Sequence, residues 1–279
     1  MFKPAEQLIT VIVPVFNEGL RITENLELLI RELEGHFQQY EILVMSDGST
    51  DDTNNKVFHF KHPSVRFTPL VRNQGKGASV RKGFELAKGD YIFFIDGGME
   101  LHPKELRIFF GLMRLYDADI VIGSKRHPQS KVYYPALRRF LSSIYQKLIK
   151  ALFQVDVTDT QVGMKLFRKE VVQSVLPFLK VDRYGFDLEI LSLASLFGFN
   201  KMLEAPIQMD YFSKNTRPFL LELMHVLKVG ISLMRDTLKL YVRIREIRRH
   251  LNSVPKPATI PPTKSSPAVP EYPARSNDP

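Results

Sequence analysis

The sequence contains no cysteine, which excludes disulfide bonds and cysteine-ligated metal sites and fits a reducing compartment. It also contains no apolar run that approaches the roughly 18 residues that a membrane-spanning helix needs. The first residues, MFKPAEQLITVIVPVFNE, show no basic segment followed by a long apolar core, so we expect no secretory signal. These absences predict a cytoplasmic protein that meets a membrane only as a peripheral protein on its cytoplasmic face.

Acidic residues are scarce relative to basic ones. The 279 residues carry a formal charge of +9 at pH 7, which indicates a polyanionic partner such as nucleic acid, an anionic membrane surface or a phosphorylated substrate. The interval between Asp119 and Asp156 has no acid at all. It does contain basic residues, namely Lys125, Arg126, Lys131, Arg138, Arg139, Lys147 and Lys150.

Strand-like and helix-like segments alternate from residue 10 to about residue 125. Near-continuous apolar strands separated by helices predict an α/β fold with a mostly parallel sheet that is covered on both faces. Ligands of such sheets bind beyond the carboxyl ends of the strands, where this chain places Asn17, Glu18, residues 47–52 and Asp96. The predicted strands are 10–17, 91–96 and 118–124, together with a strand that ends in an acidic turn within 40–53. The predicted helices are 22–37, 75–89 and about 103–116.

The C-terminal part has a different composition. The patterns predict helices over 135–154 and 184–197, an extended segment over 201–212, and amphipathic basic helices over 217–251. From residue 253 onward the chain is rich in proline and poor in apolar residues, which predicts disorder. We therefore predict a catalytic-type domain over 1–213, interface helices over 214–252 and a disordered tail over 253–279.

Two loops carry candidate nucleotide contacts. In SDGSTDDT, Asp47 follows a strand and is placed to accept hydrogen bonds from a nucleobase or ribose, although a helix cap is an alternative. In RNQGKG, Gly75 and Gly77 open a helix beside Lys76, and a helix N-terminus attracts phosphate. The spacing does not match a P-loop, and glycine capping alone is the alternative explanation.

Asp96 ends the apolar strand YIFFID. A carboxylate at such a position must be solvated or paired, and a hard divalent cation that bridges phosphates is a suitable partner. The position two residues on, where a second acid would stand, is Gly98, and the next acid is Glu100. The alternative is that Asp96 caps the helix that follows.

The acid-free interval contains a candidate phosphate clamp. Arg138 and Ser142 are four residues apart and share one helical face, and arginine offers two parallel donors to phosphate oxygens. A solvated basic face is the alternative. Further on, DVTDTQVGMKLF places Asp159 and Gln161 before Gly163, and FDLEIL places Asp187 and Glu189 at a helix start, where acids favour the helix dipole.

The motifs occur in the order VIVPVFNE, SDGSTDDT, NQGKGASVRKGF, FFIDGG, GSKR, DTQVGMKLF and FDLEIL. This ordered set resembles the inverting nucleotide-sugar glycosyltransferases of GT-A fold, and among them the polyprenyl-phosphate sugar synthases. The likeness covers residues 8 to about 212. DTQ-x-G-x-K-L-F is most similar to the dolichyl-phosphate glucosyltransferase branch rather than the mannosyltransferases.

The resemblance implies a role for each matching residue. Gly98 departs from the family pattern, because it replaces the second acid of the DxD metal motif. The implied nucleotide-binding residues are Pro14, Val15, Asn17, Glu18, Asp47, Lys76 and Gly77. The implied ligands of Mg²⁺ or Mn²⁺ are Asp96 and Glu100, the acceptor phosphate would meet Lys125, Arg126, Arg138 and Ser142, and the catalytic set would be Asp96, Arg138, Asp159 and Gln161.

The implied reaction moves a hexose from a nucleotide sugar, UDP-glucose or GDP-mannose, to a polyprenyl phosphate with inversion. The implied partners are the nucleotide sugar, the lipid phosphate and a membrane surface, with no nucleic acid. The basic segment 217–251 fits an interfacial location, although covering the core or forming a homo-oligomer is an alternative. Two other functions stay open: transfer to a polysaccharide or protein glycan, and nucleotide binding without turnover.

Overall fold

The structure, a computed structural model, describes residues 7–132, 136–153, 155–183, 185–209 and 219–253. Within these ranges, the side chains of 136–141, 219–233 and 252 are not described. The side chain of Arg138, the predicted boundary between 213 and 214, and residues 254–279 of the predicted tail therefore lie outside the described residues.

Seven strands form the central sheet. They are β1 (Leu8–Val15), β2 (Gln39–Ser46), β3 (Val65–Pro69), β4 (Tyr91–Ile95), β5 (Ile120–Ser124), β7 (Met164–Arg168) and β8 (Met202–Pro206). Their order is β3-β2-β1-β4-β7-β5-β8. Neighbouring strands are parallel except β7, which is antiparallel to both β4 and β5. A separate parallel pair joins β6 (Lys131–Val132) to β9 (Gln208–Met209).

Helices cover both faces of the sheet. They are α1 (Ile22–His36), α2 (Thr53–His59), α3 (Lys76–Leu86), α4 (Leu106–Leu115), α5 (Ala136–Phe153), α6 (Lys169–Val175), α7 (Phe186–Leu196) and α8 (Phe219–Ser253). Two short 3-10 helices span Pro103–Glu105 and Leu176–Phe178. No helix in the described ranges combines the length and the apolar character that crossing a membrane requires.

Successive side chains of β1 point into two different hydrophobic cores, one on each face of the sheet. Val11 and Val13 face a cluster that includes buried residues of α1 and α4, whereas Ile12 between them faces a cluster that includes α3, α7 and α8. All three side chains are fully buried, because successive residues of a strand point to opposite faces and helices cover both. The continuous apolar run of β1 follows from this arrangement.

The predicted α/β fold with a mostly parallel sheet is confirmed. Strand β1 ends at Val15 rather than at residue 17, so Phe16 and Asn17 belong to the loop that follows. The sequence patterns did not reveal β3, α2, α6 or β7. Strand β7 escaped because it is short and antiparallel, and its five residues follow an irregular segment rather than a helix-strand alternation.

The second half of helix α8 packs against the core beside α3 and α7. Leu240 and Ile244 are buried in the same cluster as α3 and α7, so this part of α8 covers the core, one of the alternatives that the sequence left open. The opposite face exposes Leu238 and Val242. The division of the chain at residue 213 stays a prediction.

Candidate functional site

The loops that follow β1, β2 and β4 meet at the carboxyl edge of the sheet. They enclose a cavity of about 250 Å³. Because β1 lies between β2 and β4 and pairs in parallel with both, its carboxyl end lies beside theirs. The lining residues are Pro14, Val15, Phe16, Glu18, Asp47, Lys76, Asp96, Gly97, Gly98 and Glu100.

Asp47 is buried at the end of β2, and its carboxylate holds the loop that leads into α3. Its Oδ1 accepts a hydrogen bond from the backbone N–H of Gln74 at 2.8 Å, and its Oδ2 accepts one from that of Gly75 at 2.9 Å. Asp47 therefore positions Lys76 and Gly77 at the N-terminus of α3. Its predicted contact with a base or ribose stays a prediction.

Asn17 and Asp51 join the first two loops. Asn17 has a left-handed backbone (φ 55), and its Oδ1 accepts a hydrogen bond from the N–H of Thr50 at 2.8 Å. Asp51 Oδ2 accepts one from the N–H of Gly19 at 2.9 Å. Burial raises the pKa of Asp51, but hydrogen bonds from Thr53 and Gly19 outweigh it and hold that pKa below its usual value. These bonds fix the loop that carries Glu18.

Lys76 and Asp96 form an ion pair inside the cavity. Both side chains are more than a third exposed. The Lys76 ammonium also lies 5.0 Å from the centroid of the Phe94 ring and 5.9 Å from that of Phe186, which is within the range of cation–π attraction. This arrangement places one positive charge next to the strand-end carboxylate that the sequence singled out.

Gly163 makes room for Asp96. A Cβ at Gly163 would lie 1.9 Å from Asp96 Oδ2, so no residue with a side chain fits there without moving the carboxylate. The N–H of Asp96 also donates to the carbonyl of Gly163 at 3.0 Å. Sequence reasoning named Gly163 only as part of DTQVG, because its contact with β4 depends on the antiparallel strand β7.

Glu18 lies next to the position of the missing second acid. A Cβ at Gly98 would be 3.2 Å from Glu18 Oε1. Burial raises the pKa of Glu18, and the nearby carboxylates of Glu100, Asp51 and Asp96 raise it further, while Arg21 opposes them. Several carboxylates therefore converge on one cavity, and the space beside Gly98 is occupied by a carboxylate from a different loop.

These oxygen donors have the chemistry that Mg²⁺ and Mn²⁺ prefer. Within the described ranges, no three Asp, Glu or His side chains are close enough together to hold a cation by themselves. A cation that binds with one or two carboxylates and phosphate oxygens fits this donor set, because Mg²⁺ commonly completes its shell with substrate phosphates and water.

A second group of polar residues lies at the end of β5. Arg126 Nη2 donates to Ser142 Oγ on α5 at 3.2 Å, and the Lys125 ammonium lies 4.0 Å from Asp159 Oδ2. Asp159 is buried, and its Oδ1 accepts a hydrogen bond from the N–H of Gln161 at 3.2 Å. The structure thus brings together the predicted acceptor-side residues whose side chains it describes. Residues 159–163 connect this group to Asp96.

A buried ion pair lies below the cavity, and the sequence did not reveal it. Lys165 is fully buried and pairs with Asp187 at the start of α7. Its ammonium also donates to the carbonyl of Val162 at 2.6 Å and lies 5.5 Å from the centroid of the Phe94 ring. Burial raises the pKa of Asp187, and Lys165 opposes this shift. Asp187 therefore forms a buried ion pair, in addition to the predicted favourable interaction with the dipole of α7.

Comparison with known sequences places this site in context. Residues 10–176 match the family described as glycosyl transferase family 2. The chain is 34% identical over 208 residues to a dolichyl-phosphate β-glucosyltransferase of Trichomonas vaginalis, covering 70% of this chain and 61% of that protein. It is 31% identical over 210 residues to the dolichyl-phosphate β-glucosyltransferase of Homo sapiens, covering 70% and 64%. The chain spans less than two thirds of the length of these relatives.

A solved structure shows the same fold. Glucosyl-3-phosphoglycerate synthase from Mycobacterium tuberculosis, in complex with Mn²⁺, UDP and glucosyl-3-phosphoglycerate, has a TM-score of 0.63 with this chain. The identity is 19%, and the match covers 85% of this chain and 80% of that one. At this identity the likeness concerns the fold alone, and it confirms the predicted GT-A architecture.

Proposed function

The chain belongs to glycosyl transferase family 2, and from this premise we propose that it transfers a hexose from a nucleoside diphosphate sugar to a polyprenyl phosphate with inversion. The observation that carries the proposal is the convergence of Asp96, Lys76 and Glu18 in one cavity at the carboxyl edge of the sheet. The relatives are named dolichyl-phosphate β-glucosyltransferases, which favours glucose over mannose, and we propose UDP-glucose as the donor.

The donor would bind with its diphosphate between the N-terminus of α3 and Asp96. Lys76 would exchange its contact with Asp96 for diphosphate oxygens, because both side chains remain partly exposed. Asp96 would hold a divalent cation together with Glu18 or Glu100, and the cation would supply positive charge for the leaving diphosphate. Pro14, Val15, Asn17, Asp47 and Gly77 are the remaining proposed nucleotide contacts.

The acceptor phosphate would bind on the other side of residues 159–163. A phosphate oxygen is already anionic at neutral pH, so the attack on the anomeric carbon needs no strong general base. The protein contributes mainly by positioning and by stabilising charge. Lys125, Arg126 and Ser142 would orient the phosphate, with Arg138 from the same helix as Ser142, while Asp159 and Gln161 would hold the loop that separates acceptor from donor.

A donor panel tests the proposed reaction. The protein is incubated with radiolabelled UDP-glucose, GDP-mannose and other nucleotide sugars, with a polyprenyl phosphate and Mn²⁺, and the product is extracted into organic solvent. We expect labelled lipid with UDP-glucose. Label that stays in a polysaccharide or protein fraction supports the glycan-transferring alternative, and nucleotide binding without any transfer supports the non-catalytic alternative.

We also propose that α8 brings the protein to the membrane that holds the lipid acceptor, on the cytoplasmic face. Met234, Leu238 and Val242 recur every four residues and are 37%, 51% and 55% exposed. Exposed basic residues flank this stripe, and such helices lie in the interface of anionic bilayers. The flanking residues are Arg235, Lys239, Arg245, Arg248 and Arg249.

Vesicle flotation tests this membrane contact. Binding to anionic vesicles should fall as salt rises, because salt screens the attraction, and Leu238→Glu with Val242→Glu should abolish it. Leu115→Glu is the matched control, since Leu115 is 74% exposed on α4 at the opposite face of the sheet. If the double variant floats like the wild type, α8 is not the membrane contact. A concentration-dependent rise in mass caused by the same stripe would instead indicate a homo-oligomer.

A further inference from the structure

Glu189 is a fully buried carboxylate that joins three parts of the chain. It stands on α7 and is 0% exposed. Its two oxygens accept hydrogen bonds from the backbone N–H groups of Lys180, at 3.0 and 3.1 Å, and of Val181, at 2.8 Å. Among the described residues, its other side-chain partner is the guanidinium of Arg243 on α8, which also donates to the carbonyl of Phe178 at 3.0 Å.

Segment 180–182, which Glu189 holds, packs directly against residues 75–77 at the N-terminus of α3. A Cβ at Gly75 would lie 2.3 Å from the carbonyl oxygen of Asp182, and a Cβ at Gly77 would lie 2.4 Å from that of Val181. The N–H of Ala78 donates to the Asp182 carbonyl at 3.3 Å. Both glycines thus contact this segment directly, and Lys76 stands between them.

A second contact pins the same segment to α3. The carboxylate of Asp182 pairs with Arg81 Nη2 at 2.7 Å, one helical turn beyond Gly77. The segment 180–182 is therefore fixed from one side by Glu189 through its N–H groups, and it fixes the nucleotide loop from the other side through its carbonyls and Asp182. A displaced segment would therefore shift Lys76.

We propose that Glu189 and Arg243 are positioning residues for the donor nucleotide: together they hold segment 180–182, and through it the Gly75–Gly77 loop, in the geometry that places Lys76 at the diphosphate. Helix α8 would thereby stabilise the donor site through Arg243, in addition to making the proposed membrane contact. This inference rests on the proposed function, because it takes the Gly75–Gly77 loop as the nucleotide-binding loop.

The charge on Glu189 makes Arg243 necessary. A carboxylate that is fully desolvated needs a cation as well as hydrogen bonds, and removing one partner of such a pair leaves an uncompensated buried charge. Without Arg243, Glu189 would draw in water to compensate its charge, and this water would loosen its hold on Lys180 and Val181. Loss of these hydrogen bonds should perturb residues 75–77 more than the sheet, since segment 180–182 lies between α7 and α3.

The test compares Arg243→Met with Arg243→Lys and with Tyr145→Phe. Tyr145→Phe is the matched control: it removes another hydrogen bond of α8, between the Tyr145 hydroxyl and Thr237 Oγ1 at 2.8 Å, that does not involve segment 180–182. UDP binding is measured by calorimetry with Mn²⁺ present. We expect Arg243→Met to weaken binding about tenfold or more, Arg243→Lys to keep it within about threefold of the wild type, and Tyr145→Phe to leave it unchanged.

Amide hydrogen exchange supplies a second readout that needs no nucleotide. Exchange in residues 75–79 should accelerate in Arg243→Met and not in Tyr145→Phe, whatever the two variants do to the melting temperature. If Arg243→Met does not fold, Glu189→Gln, which keeps the shape of the side chain, carries the same two measurements. Unchanged UDP affinity overturns the inference, and so does unchanged exchange in these residues.

The outcomes separate this inference from the proposed function. A wild-type protein that binds no nucleoside diphosphate refutes the proposed function, and the positioning role falls with it. A wild type that binds UDP, with an Arg243→Met variant that binds it equally well, refutes only the positioning role. Equal weakening in Arg243→Met and Tyr145→Phe also overturns it, because the effect would then belong to α8 packing in general.

Discussion

Two lysine–aspartate pairs lie against the same aromatic ring, yet they differ in almost every physical respect. Lys76–Asp96 faces the cavity, and both side chains are more than a third exposed. Lys165–Asp187 lies beneath it, with side chains 0% and 8% exposed. Both ammonium groups lie within 5.5 Å of the centroid of the Phe94 ring. The same residue types therefore produce an exchangeable pair at the surface and a permanent pair in the core.

The difference follows from solvation. A partly exposed pair gains little from its own attraction, because water competes for both charges, so Lys76 and Asp96 can each be transferred to a ligand at low cost. A buried pair cannot be separated without leaving a bare charge in a low-dielectric interior. Lys165–Asp187 therefore joins β7 to α7, and its ammonium contacts the same Phe94 ring as Lys76 of the pair that we propose as the nucleotide contact.

The largest effect is expected from breaking the buried pair. Lys165→Met leaves Asp187 uncompensated and should lower the free energy of unfolding by about 3–5 kcal/mol, as measured by urea denaturation. The double variant Lys165→Met/Asp187→Leu should recover much of this loss, because an apolar pair carries no buried charge. If Lys165→Met costs no more than an exposed lysine substitution, Lys165–Asp187 is not the permanent pair described here.

The exposed pair should show the opposite behaviour. Lys76→Met should leave the free energy of unfolding within about 1 kcal/mol of the wild type but weaken UDP binding by about 1.5–3 kcal/mol, the range of a charged hydrogen bond. Calorimetry gives both the affinity and its Mn²⁺ dependence. Lys82→Met is the control, since Lys82 is on the same helix and pairs with Glu85 at 2.7 Å. Equal affinities in both variants would contradict the role of Lys76.

The sequence identified both members of the exposed pair but not their contact, since Asp96 ends an apolar strand and Lys76 stands where two glycines open a helix. Asp47 and Asp96 end apolar runs, and parallel strands bring such ends to one edge of a sheet. The fold followed from the alternation of strands and helices, and the relation to dolichyl-phosphate glucosyltransferases followed from the order of motifs. The buried pair Lys165–Asp187 depends on β7, an antiparallel strand that no local sequence pattern predicted. Gly163 beside Asp96, Lys165 beside Asp187 and Arg243 beside Glu189 are contacts between distant segments, and local periodicity carries no information about them.

The carboxylate of Glu18 lies where the second acid of the metal motif would stand, next to the exposed pair. Glu18 occupies the space beside Gly98, so Glu18→Gln should weaken Mn²⁺-dependent UDP binding by about tenfold, or about 1.4 kcal/mol. Adding Gly98→Asp to this variant should restore most of the loss, because it returns a carboxylate to the same space. Titration of each variant with UDP, with and without Mn²⁺, measures both effects. Equal metal dependence in the wild type and in Glu18→Gln would show that Glu18 does not supply this carboxylate.

The smallest expected effect is a shift in pH dependence. Burial raises the pKa of Glu18, and the carboxylates of Glu100, Asp51 and Asp96 add to this. Only the ionised carboxylate binds a cation, so Mn²⁺-dependent UDP binding should weaken as pH falls through this raised pKa, at a higher pH than for an ordinary glutamate. The contribution of Glu18 to the free energy of unfolding changes with pH in the opposite direction from its contribution to cation binding. It is fully present below the unfolded-state pKa and is lost as pH rises through the folded-state pKa.

Asp51→Asn separates the electrostatic cause from the burial of Glu18. The substitution keeps an acceptor for the N–H of Gly19 but removes one of the negative charges that raise the pKa of Glu18. The pH profile of Mn²⁺-dependent UDP binding should therefore move to lower pH in Asp51→Asn, whereas Glu18→Gln should flatten this part of the profile. If all three proteins share one profile, the titrating group that controls cation binding is not Glu18.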